Sequence, residues 1–492
     1  MLFNTYDYFI FLPLTVIIFY LTNLKHRWLV LLSASYIFYS FWNLSYLVLI
    51  LLSTIVDYTS AIKIYSQSNN TKKKAWLLLS IITNLSILFF FKYLVFFVQN
   101  ISLIFSNSSI LKPLLGMDLI LPLGISFYTF QTMAYTIEVY RGRFKPERHF
   151  GKFALYVAFF PQLVSGPIER PKNLLIQIQD NPKTHSNNFL FGIKRIIWGL
   201  FKKIVIADKL AMIVDPVYFD YSSFDGLQIL IATYMFSLQI YFDFSAYCDI
   251  AIGSAKIFGF DLSENFNLPY FSKSIKQFWH RWHITLSQWF RDYLYIPLGG
   301  TSEKKIYWIR NIIITFIISG LWHGAKWNFI IWGLIHCIYY LFGVLTKDHR
   351  NKFYRSIRIN NHIKNIIRKF ITFNLISFAW IFFRSLDLTS AIGIIRKIGG
   401  DLIYNYQKII DNISMESITF SFQTVSETET IIFIGLMIIF MIIEKSKEGQ
   451  KFIYSSNTNH IGIKELLIFD YLLIAILLFG NMGSEEFIYF NF

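Results

Sequence analysis

The sequence predicts an all-α polytopic membrane protein, and three observations support this fold class. Of the 492 residues, 54% are hydrophobic and only 15% are charged, whereas an ordinary soluble domain carries about 25% charged residues. The mean hydropathy is +0.46. Apolar runs near the roughly 20 residues that span a bilayer follow one another along the chain. We therefore expect roughly ten to twelve transmembrane helices in a single membrane-embedded domain, residues 1–492.

The apolar runs set the order of the predicted elements. At about 1.5 Å per residue, the runs 28–60 and 306–345 are longer than the bilayer is thick, so each should form two helices or one tilted helix. The first run is followed by basic residues without a small-residue cleavage site, which predicts a retained span and not a signal peptide. The runs lie at residues 7–22, 28–60, 75–98, 101–122, 123–140, 190–213, 227–258, 306–345, 370–384, 431–444 and 466–480.

The formal net charge is +16, because 46 lysines and arginines outnumber 30 acidic residues. The basic residues gather in loops, at 72–74, at 141–148 and, in the longest stretch, at 346–370. Such loops stay in the cytoplasm beside anionic lipid, so we interpret the charge as topology and expect no nucleic-acid partner. The segment 401–430 has almost no basic residues and is predicted to lie outside.

Several chemistries lack their sequence motifs. The chain contains no P-loop, no G-x-G-x-x-G, no H-E-x-x-H and no G-x-S-x-G, so nucleotide hydrolysis, zinc proteolysis and serine esterase chemistry have no local support. The two cysteines, Cys248 and Cys337, lie in apolar surroundings without metal-ligand spacing. We expect them to be small buried hydrophobes, and we expect neither a metal site nor a permanently bound cofactor.

Three apolar segments contain proline, glycine or ionisable residues: 159–170, 241–260 and 276–300. Irregular backbone at membrane depth is tolerated only where protein or a water-filled cavity surrounds it. These segments are therefore predicted to be re-entrant or to line a cavity, and the chemistry should lie among them.

The strongest single candidate for catalysis is His323, in the stretch SGLWHGAKWNFIIWG. Ionisable residues inside apolar runs are costly and mark function by default. A neutral imidazole shielded from water can take a proton from a hydroxyl group, which suits group transfer. The alternative is a structural histidine bonded to a neighbouring carbonyl. His336 lies 13 residues later, about 140° away on a straight helix, so the two need not converge.

A second candidate cluster surrounds His280 and His283, which are three residues apart and would share a helical face. It is either an interfacial amphipathic helix or the wall of a cavity that binds an anionic or ring-containing substrate. Nearby in the chain, Asp243 and Asp249 interrupt their own apolar run and are candidates for ion pairs with Arg281 or Arg291.

Eight motifs together resemble one known family. They are MLFNTYDYFIFLPL at the start, LPLGISFYTFQTMAYTIEVYRG from Leu121, FFPQLVSGPIERP from Phe159, YFDFSAYCDIAIG from Tyr241, FWHRWHITLSQWFRDYLYIPLGG from Phe278, GLWHGAKWNFIIWG from Gly320, WIFFRSLDL from Trp380 and the final FIYFNF. In order and across the whole chain, they resemble the bacterial membrane-bound O-acyltransferases, in particular the alginate O-acetylation branch.

The resemblance implies a helical ring around a central tunnel in the bacterial inner or plasma membrane. It implies transfer of an acetyl group from a cytoplasmic thioester donor, acetyl-CoA, to hydroxyls of an exported or cell-wall polysaccharide such as alginate. An extracytoplasmic SGNH-type acetyltransferase or a similar protein is an expected partner. D-alanyl transfer to teichoic acid, a polysaccharide or acyl transporter, and a scaffold without catalysis stay open as alternatives.

The resemblance also assigns roles to residues. It implies that His323 is the catalytic histidine and that His283 is the second histidine of the site, while relatives commonly carry arginine at the position of His280. Tyr489, in the terminal motif, becomes a candidate for acyl relay or partner docking. The candidates for lining the substrate tunnel are His280, Arg281, Trp322, Asn328, His336 and Asp243.

Overall fold

The computed structural model describes residues 1–105, 112–117, 120–164, 166–180, 186–356, 359–404, 427–454, 462–480 and 487–488. Within these ranges the regular secondary structure is helical, without a strand, which confirms the predicted all-α class. The first helices are α1 (Tyr6–Leu21), α2 (Arg27–Ser40), α3 (Leu47–Ser66), α4 (Asn70–Leu88), α5 (Leu94–Ile104), α6 (Lys112–Leu115), α7 (Ile125–Tyr140), α8 (Phe150–Ala158), α9 (Phe160–Leu163), α10 (Ile176–Asp180) and α11 (Ser186–Leu200).

The remaining helices come next in chain order. They are α12 (Asp208–Phe219), α13 (Gly226–Ile257), α14 (Ile275–Trp279), α15 (Ile284–Phe290), α16 (Lys305–His323), α17 (Trp327–Leu345), α18 (Lys347–Ser356), α19 (Asn361–Arg384), α20 (Leu388–Tyr404), α21 (Glu427–Lys445), α22 (Lys447–Tyr454) and α23 (Ile463–Phe479).

Six helical segments of the described part are long and apolar enough to cross a membrane, namely Leu44–Ser66, Asn70–Ile104, Gly226–Ile257, Lys305–His323, Trp327–Leu345 and Asn361–Arg384. The two long apolar runs each form two helices, α2 with α3 and α16 with α17, as predicted from their length. The apolar helix α1 has 16 residues. A total of ten to twelve spans stays a prediction, and so does the single domain.

The chain forms two compact units. Of the described residues, the first unit contains Met1–Ile197 and Tyr247–Glu264, and the second contains Trp198–Ala246 and most of the chain from Asn265 onward. The candidate catalytic histidines both belong to the second unit.

In the first unit, α3, α4 and α7 are joined by a buried carboxylate. Asp57 is fully buried. It accepts hydrogen bonds from the Ser80 hydroxyl, from Nδ2 of Asn84 at 2.9 Å and from the Thr136 hydroxyl at 3.3 Å. A carboxyl group inside apolar helices is costly unless its oxygens are satisfied. The surrounding donors therefore fix the three helices together.

The predicted ion pair of Asp249 with Arg281 or Arg291 is wrong. Arg195 of α11 donates to Asp249 at 2.7 Å and to Glu264 at 2.6 Å, all within the first unit. The segment 241–260 is also more regular than predicted, because α13 runs through it without a break as far as Ile257. The two carboxylates of this segment, Asp243 and Asp249, form ion pairs with Lys203 and Arg195.

The segment 159–170 is irregular, as predicted. The short helix α9 ends at Leu163 and extended backbone follows. The carboxylate of Glu169 accepts from the Ser263 backbone N–H and from Nδ2 of Asn173, each at 2.5 Å. Burial raises the pKa of Glu169 to about 7, against the opposing effect of these hydrogen bonds. The carboxylate thus ties the segment to two neighbouring chain stretches.

In the second unit, α16 and α17 form an antiparallel hairpin whose backbones approach closely. A Cβ atom at Gly320 would overlap the carbonyl oxygen of Phe329, and one at Gly333 would overlap that of Phe316. Only glycine permits this separation. The close approach explains why small residues flank the histidine motif, and it fixes the position of the turn that joins the two helices.

Candidate active site

His323 is the last residue of α16, immediately before the turn of the hairpin. Its side chain is buried. Aromatic rings surround the imidazole, with ring centroids of Trp322 and Trp332 at 5.0 Å and that of Phe383 at 5.2 Å. The next residue, Gly324, leaves room for the Phe329 ring, which a Cβ atom would overlap. These rings form a largely apolar shell around the imidazole.

His336 lies closer to His323 than helical periodicity suggests. Both imidazoles contact the same indole, because the Trp332 centroid is 5.0 Å from His323 and 4.8 Å from His336. The expectation that they need not converge assumed one straight helix. The hairpin turn lies between the two histidines and folds α17 back along α16. The angle of about 140° calculated for a straight helix therefore does not apply to them.

His283 stands at the start of α15 in the left-handed conformation, with φ of 42°. Its Nδ1 is 3.2 Å from Oδ1 of Asn265. The same oxygen accepts from the Thr285 N–H at 3.2 Å and from its hydroxyl at 3.0 Å. An atom that accepts these bonds is the amide oxygen, so Nδ1 of His283 is the donor. Nε2 then carries the lone pair that a base or hydrogen-bond acceptor needs.

Trp322 connects the two candidate catalytic histidines. Its ring centroid is 5.0 Å from that of His323 and 6.0 Å from that of His283. The two imidazoles therefore lie on one continuous aromatic surface, although α15 and α16 come from separate parts of the sequence.

Replacing Asn265 by alanine should lower both stability and activity. The change removes the acceptor of three hydrogen bonds, and the loss of buried partners costs about 1–3 kcal/mol. It also frees the His283 ring to rotate. We expect a lower unfolding temperature and a lower kcat for Asn265→Ala. Asn265→Asp keeps an acceptor oxygen, so both of its values should be closer to those of the wild type. Unchanged kcat in Asn265→Ala would contradict the orienting role of this amide.

His280 and His283 do not share a helical face, contrary to our prediction. α14 ends at Trp279, and a turn precedes the left-handed residue His283. His280 is exposed and His283 is buried. Arg281 is half-buried and donates to the Leu268 carbonyl at 3.4 Å. The structure does not bring these two flanking residues to the His323 shell.

The remaining candidates lie near the hairpin. Asn328, on α17, donates from Nδ2 to the Ser385 carbonyl at 2.8 Å and thereby fixes the end of α19 against the turn. The predicted pairing of Asp243 with Arg281 or Arg291 is wrong, because Lys203 is its partner at 3.0 Å. Arg291 pairs instead with its neighbour Asp292 at 2.7 Å.

A polar cavity of about 270 Å³ opens beside the hairpin turn. Its charged lining is balanced, with three basic and three acidic side chains. Lys203 bridges Asp208 at 2.8 Å and Asp243 at 3.0 Å, and Arg384 binds Asp215 at 2.6 Å. The lining residues are Lys203, Ala207, Asp208, Ala211, Asp215, Gln239, Asp243, Lys326, Phe329, Arg384, Ser385, Leu386 and Ile488.

Phe329 links this cavity to the catalytic candidate. Its ring centroid is 5.1 Å from that of Phe383, which is 5.2 Å from that of His323. Sequence reasoning missed most of the charged lining. Lys203 and Asp208 interrupt an apolar run just as His323 does, so the same criterion could have identified them.

The beginning of the terminal motif also reaches the site. The Ile488 N–H donates to Oδ2 of Asp243 at 2.8 Å. The Phe487 ring lies 5.7 Å from that of Phe244, which is 4.7 Å from that of His283. Tyr489 lies outside the described residues, so its predicted role stays a prediction.

The family comparison shows what kind of protein this is. The model of the membrane-bound O-acyltransferase family matches residues 34–384, well over half of the chain. The chain belongs to this family. It is therefore an O-acyltransferase and a multi-pass membrane protein, and a transporter without enzymatic activity is set aside.

Named relatives of this membrane-bound O-acyltransferase act on different acceptors. A peptidoglycan O-acetyltransferase of Helicobacter pylori is 35% identical and aligns over 94% of this chain and 91% of its own. A probable alginate O-acetylase of Azotobacter vinelandii is 39% identical over 78% of this chain and 74% of its own. A teichoic acid D-alanyltransferase of Bacillus subtilis is 31% identical over 54% of this chain and 69% of its own.

Proposed function

We propose that this enzyme transfers an acetyl group from a cytoplasmic thioester donor, acetyl-CoA, to hydroxyl groups of an exported or cell-wall polysaccharide. The observation that supports the proposal most strongly is the position of His323. Its imidazole is enclosed by aromatic rings on α16, α17 and α19, and a polar cavity lies next to that shell. The relatives named for acetylation of peptidoglycan and alginate support an acetyl group and a glycan.

In this mechanism His323 acts as the general base. It takes the proton of an acceptor hydroxyl while the oxygen attacks the thioester carbonyl. The imidazolium then gives this proton to the sulfur as the carbon–sulfur bond breaks, so that the donor leaves as a thiol and the histidine is neutral again. His283, whose ring is oriented by Asn265, positions the acyl donor or the acceptor. The aromatic shell keeps water away from the thioester, which limits its hydrolysis.

The arrangement of helices gives the site two sides. The hairpin turn, Lys326 and the end of α19 at Arg384 lie together at one end of the second unit. The opposite ends of α17 and α19 lead into the basic stretch 346–370. Basic loops remain cytoplasmic. The donor would then approach from the end that carries Leu345, and the polar cavity would face the extracytoplasmic acceptor.

A cavity with balanced charge suits hydroxyl-rich acceptors, because carboxylates accept from hydroxyl groups while ammonium and guanidinium groups donate to them. The terminal segment begins at this cavity, at Ile488. Acetyl transfer could follow two routes from here, directly to the glycan or through Tyr489 to an extracytoplasmic SGNH-type partner. The proposal thus includes a polysaccharide as the acceptor, an extracytoplasmic partner protein and a location in the bacterial inner membrane.

The donor test separates acetyl transfer from the D-alanyl alternative. Membranes that contain the enzyme are given either labelled acetyl-CoA or a labelled D-alanyl thioester of a carrier protein, together with cell-wall glycan. We expect alkali-labile label on the glycan from acetyl-CoA. Label from the D-alanyl donor alone would contradict the proposed acyl group, and membranes from cells without the enzyme provide the background.

A further inference from the structure

The second unit buries a group of polar atoms that the mechanism above leaves unused. Among the residues that the structure describes, neither ring nitrogen of His336 has a hydrogen-bond partner. The indole Nε1 atoms of Trp279 and Trp332 also have none within those residues. Buried polar atoms almost always find a partner, because an unsatisfied one lowers stability. Four such atoms in one place indicate that a polar ligand belongs there.

These atoms come from three rings that contact one another, which we call the Trp–His box: Trp279, Trp332 and His336. The ring centroid of His336 is 5.0 Å from that of Trp279 and 4.8 Å from that of Trp332, and the two indoles are 5.7 Å apart. His336 and Trp332 are completely buried. The box therefore combines flat apolar faces with two N–H donors and an imidazole.

The box adjoins the catalytic candidate on one side. The Trp332 centroid is 5.0 Å from that of His323. Along α17, His336 lies nine residues beyond Trp327, which is about 13 Å from the hairpin turn toward the end at Leu345. In the proposed orientation that is the cytoplasmic direction. A donor that enters from the cytoplasm meets the box before it reaches His323.

We propose that the Trp–His box binds the amide-bearing arm of the thioester donor and that His336 determines the specificity for this arm. This rests on the proposed function, since it requires a thioester donor. The indole N–H groups donate to carbonyl oxygens of the arm, and the imidazole supplies one donor and one acceptor. The aromatic faces cover its methylene groups. An alkyl thiol without amides offers no partner to these atoms.

The test compares donors that differ only in this arm. Purified wild type, His336→Phe and Trp332→Phe are assayed with acetyl-CoA, with S-acetyl-N-acetylcysteamine, which has one amide, and with an S-acetyl alkyl thiol, which has none. Each variant keeps an aromatic ring and removes polar atoms. We expect the ratio of kcat/KM for acetyl-CoA to kcat/KM for the alkyl thioester to fall about 10-fold or more in each variant, mainly because KM for acetyl-CoA rises.

The controls separate recognition from packing. Cys337→Ala alters a buried neighbour of His336 on the same helix and should leave the ratio of the two kcat/KM values unchanged. His336→Phe should unfold at the same or a higher temperature, because it replaces unsatisfied polar atoms by an apolar ring. An unchanged ratio in both variants of an active enzyme would overturn the box proposal alone. A wild type that uses none of the three thioesters would overturn the proposed function as well.

Discussion

His323→Ala is expected to reduce acyl transfer by about 100- to 10,000-fold, the range that a positioned general base contributes. The imidazole lies at the end of α16 inside a shell of aromatic rings, and no other side chain can move into its place without disturbing that packing. The loss should appear in kcat and much less in KM, because the proton is transferred in the transition state. Initial rates with labelled acetyl-CoA, at matched protein abundance, measure it.

Two variants serve as controls for this result. His349→Ala replaces an exposed histidine of α18 and should retain the wild-type rate. His323→Gln keeps a hydrogen-bonding side chain of similar reach but cannot carry the proton, so it should be nearly as inactive as the alanine variant. Transfer by His323→Ala within a few-fold of the wild type would show that the buried histidine is structural.

Lys203→Met should be the most destabilising single change near the cavity. Lys203, Asp208 and Asp243 are all almost completely buried, and Lys203 is bonded to both carboxylates at 2.8 and 3.0 Å. Removing one partner from a buried ion pair leaves charge without compensation and costs about 3–5 kcal/mol. We expect a large fall in unfolding temperature in detergent and weaker anchoring of the terminal segment, because Ile488 binds Asp243.

A combined variant tests whether charge is the cause. Lys203→Met together with Asp208→Asn and Asp243→Asn removes the cation and both anions, and should recover most of the lost stability. Asn at position 243 keeps an oxygen that can accept from the Ile488 N–H. If the combined variant were as unstable as Lys203→Met alone, packing and not charge would be the reason.

The sequence was sufficient to predict the helical membrane fold, and it also singles out His323, whose catalytic role stays a prediction. These two predictions need only the composition of short stretches of sequence. An ionisable residue inside an apolar run can be recognised without knowledge of the tertiary fold. The glycines beside the motif also had a physical meaning that could be recognised, because they permit the close approach of α16 and α17. The family resemblance also indicates His323 as the catalytic residue.

The errors arose where a contact depends on distant parts of the chain. Nearness in the sequence favours arginines of the cluster at 276–300 as partners of Asp243 and Asp249, but the partners are Lys203 and Arg195. The residues next to Lys203 and Arg195 in the sequence do not distinguish these two cations from the other lysines and arginines. Long-range pairing of buried charges follows from how helices pack, and the sequence contains that information only indirectly.

Two further errors came from extending a helix through a turn. A helical pattern predicts that His280 and His283 share one face, but the chain turns between them and His283 adopts a positive φ. This conformation is uncommon for a residue other than glycine, so a local residue pattern does not predict it. His323 and His336 were likewise treated as residues of one helix, although a turn separates them.

The most direct test of the central claim uses sealed, inverted membrane vesicles that expose the cytoplasmic face. Labelled acetyl-CoA is added outside, and the acceptor glycan is enclosed inside. We predict alkali-labile label on the enclosed glycan with the wild type and only background label with His323→Ala. Equal labelling by the two proteins, or labelling that requires the donor inside the vesicle, would contradict a transmembrane acetyl transfer that depends on His323.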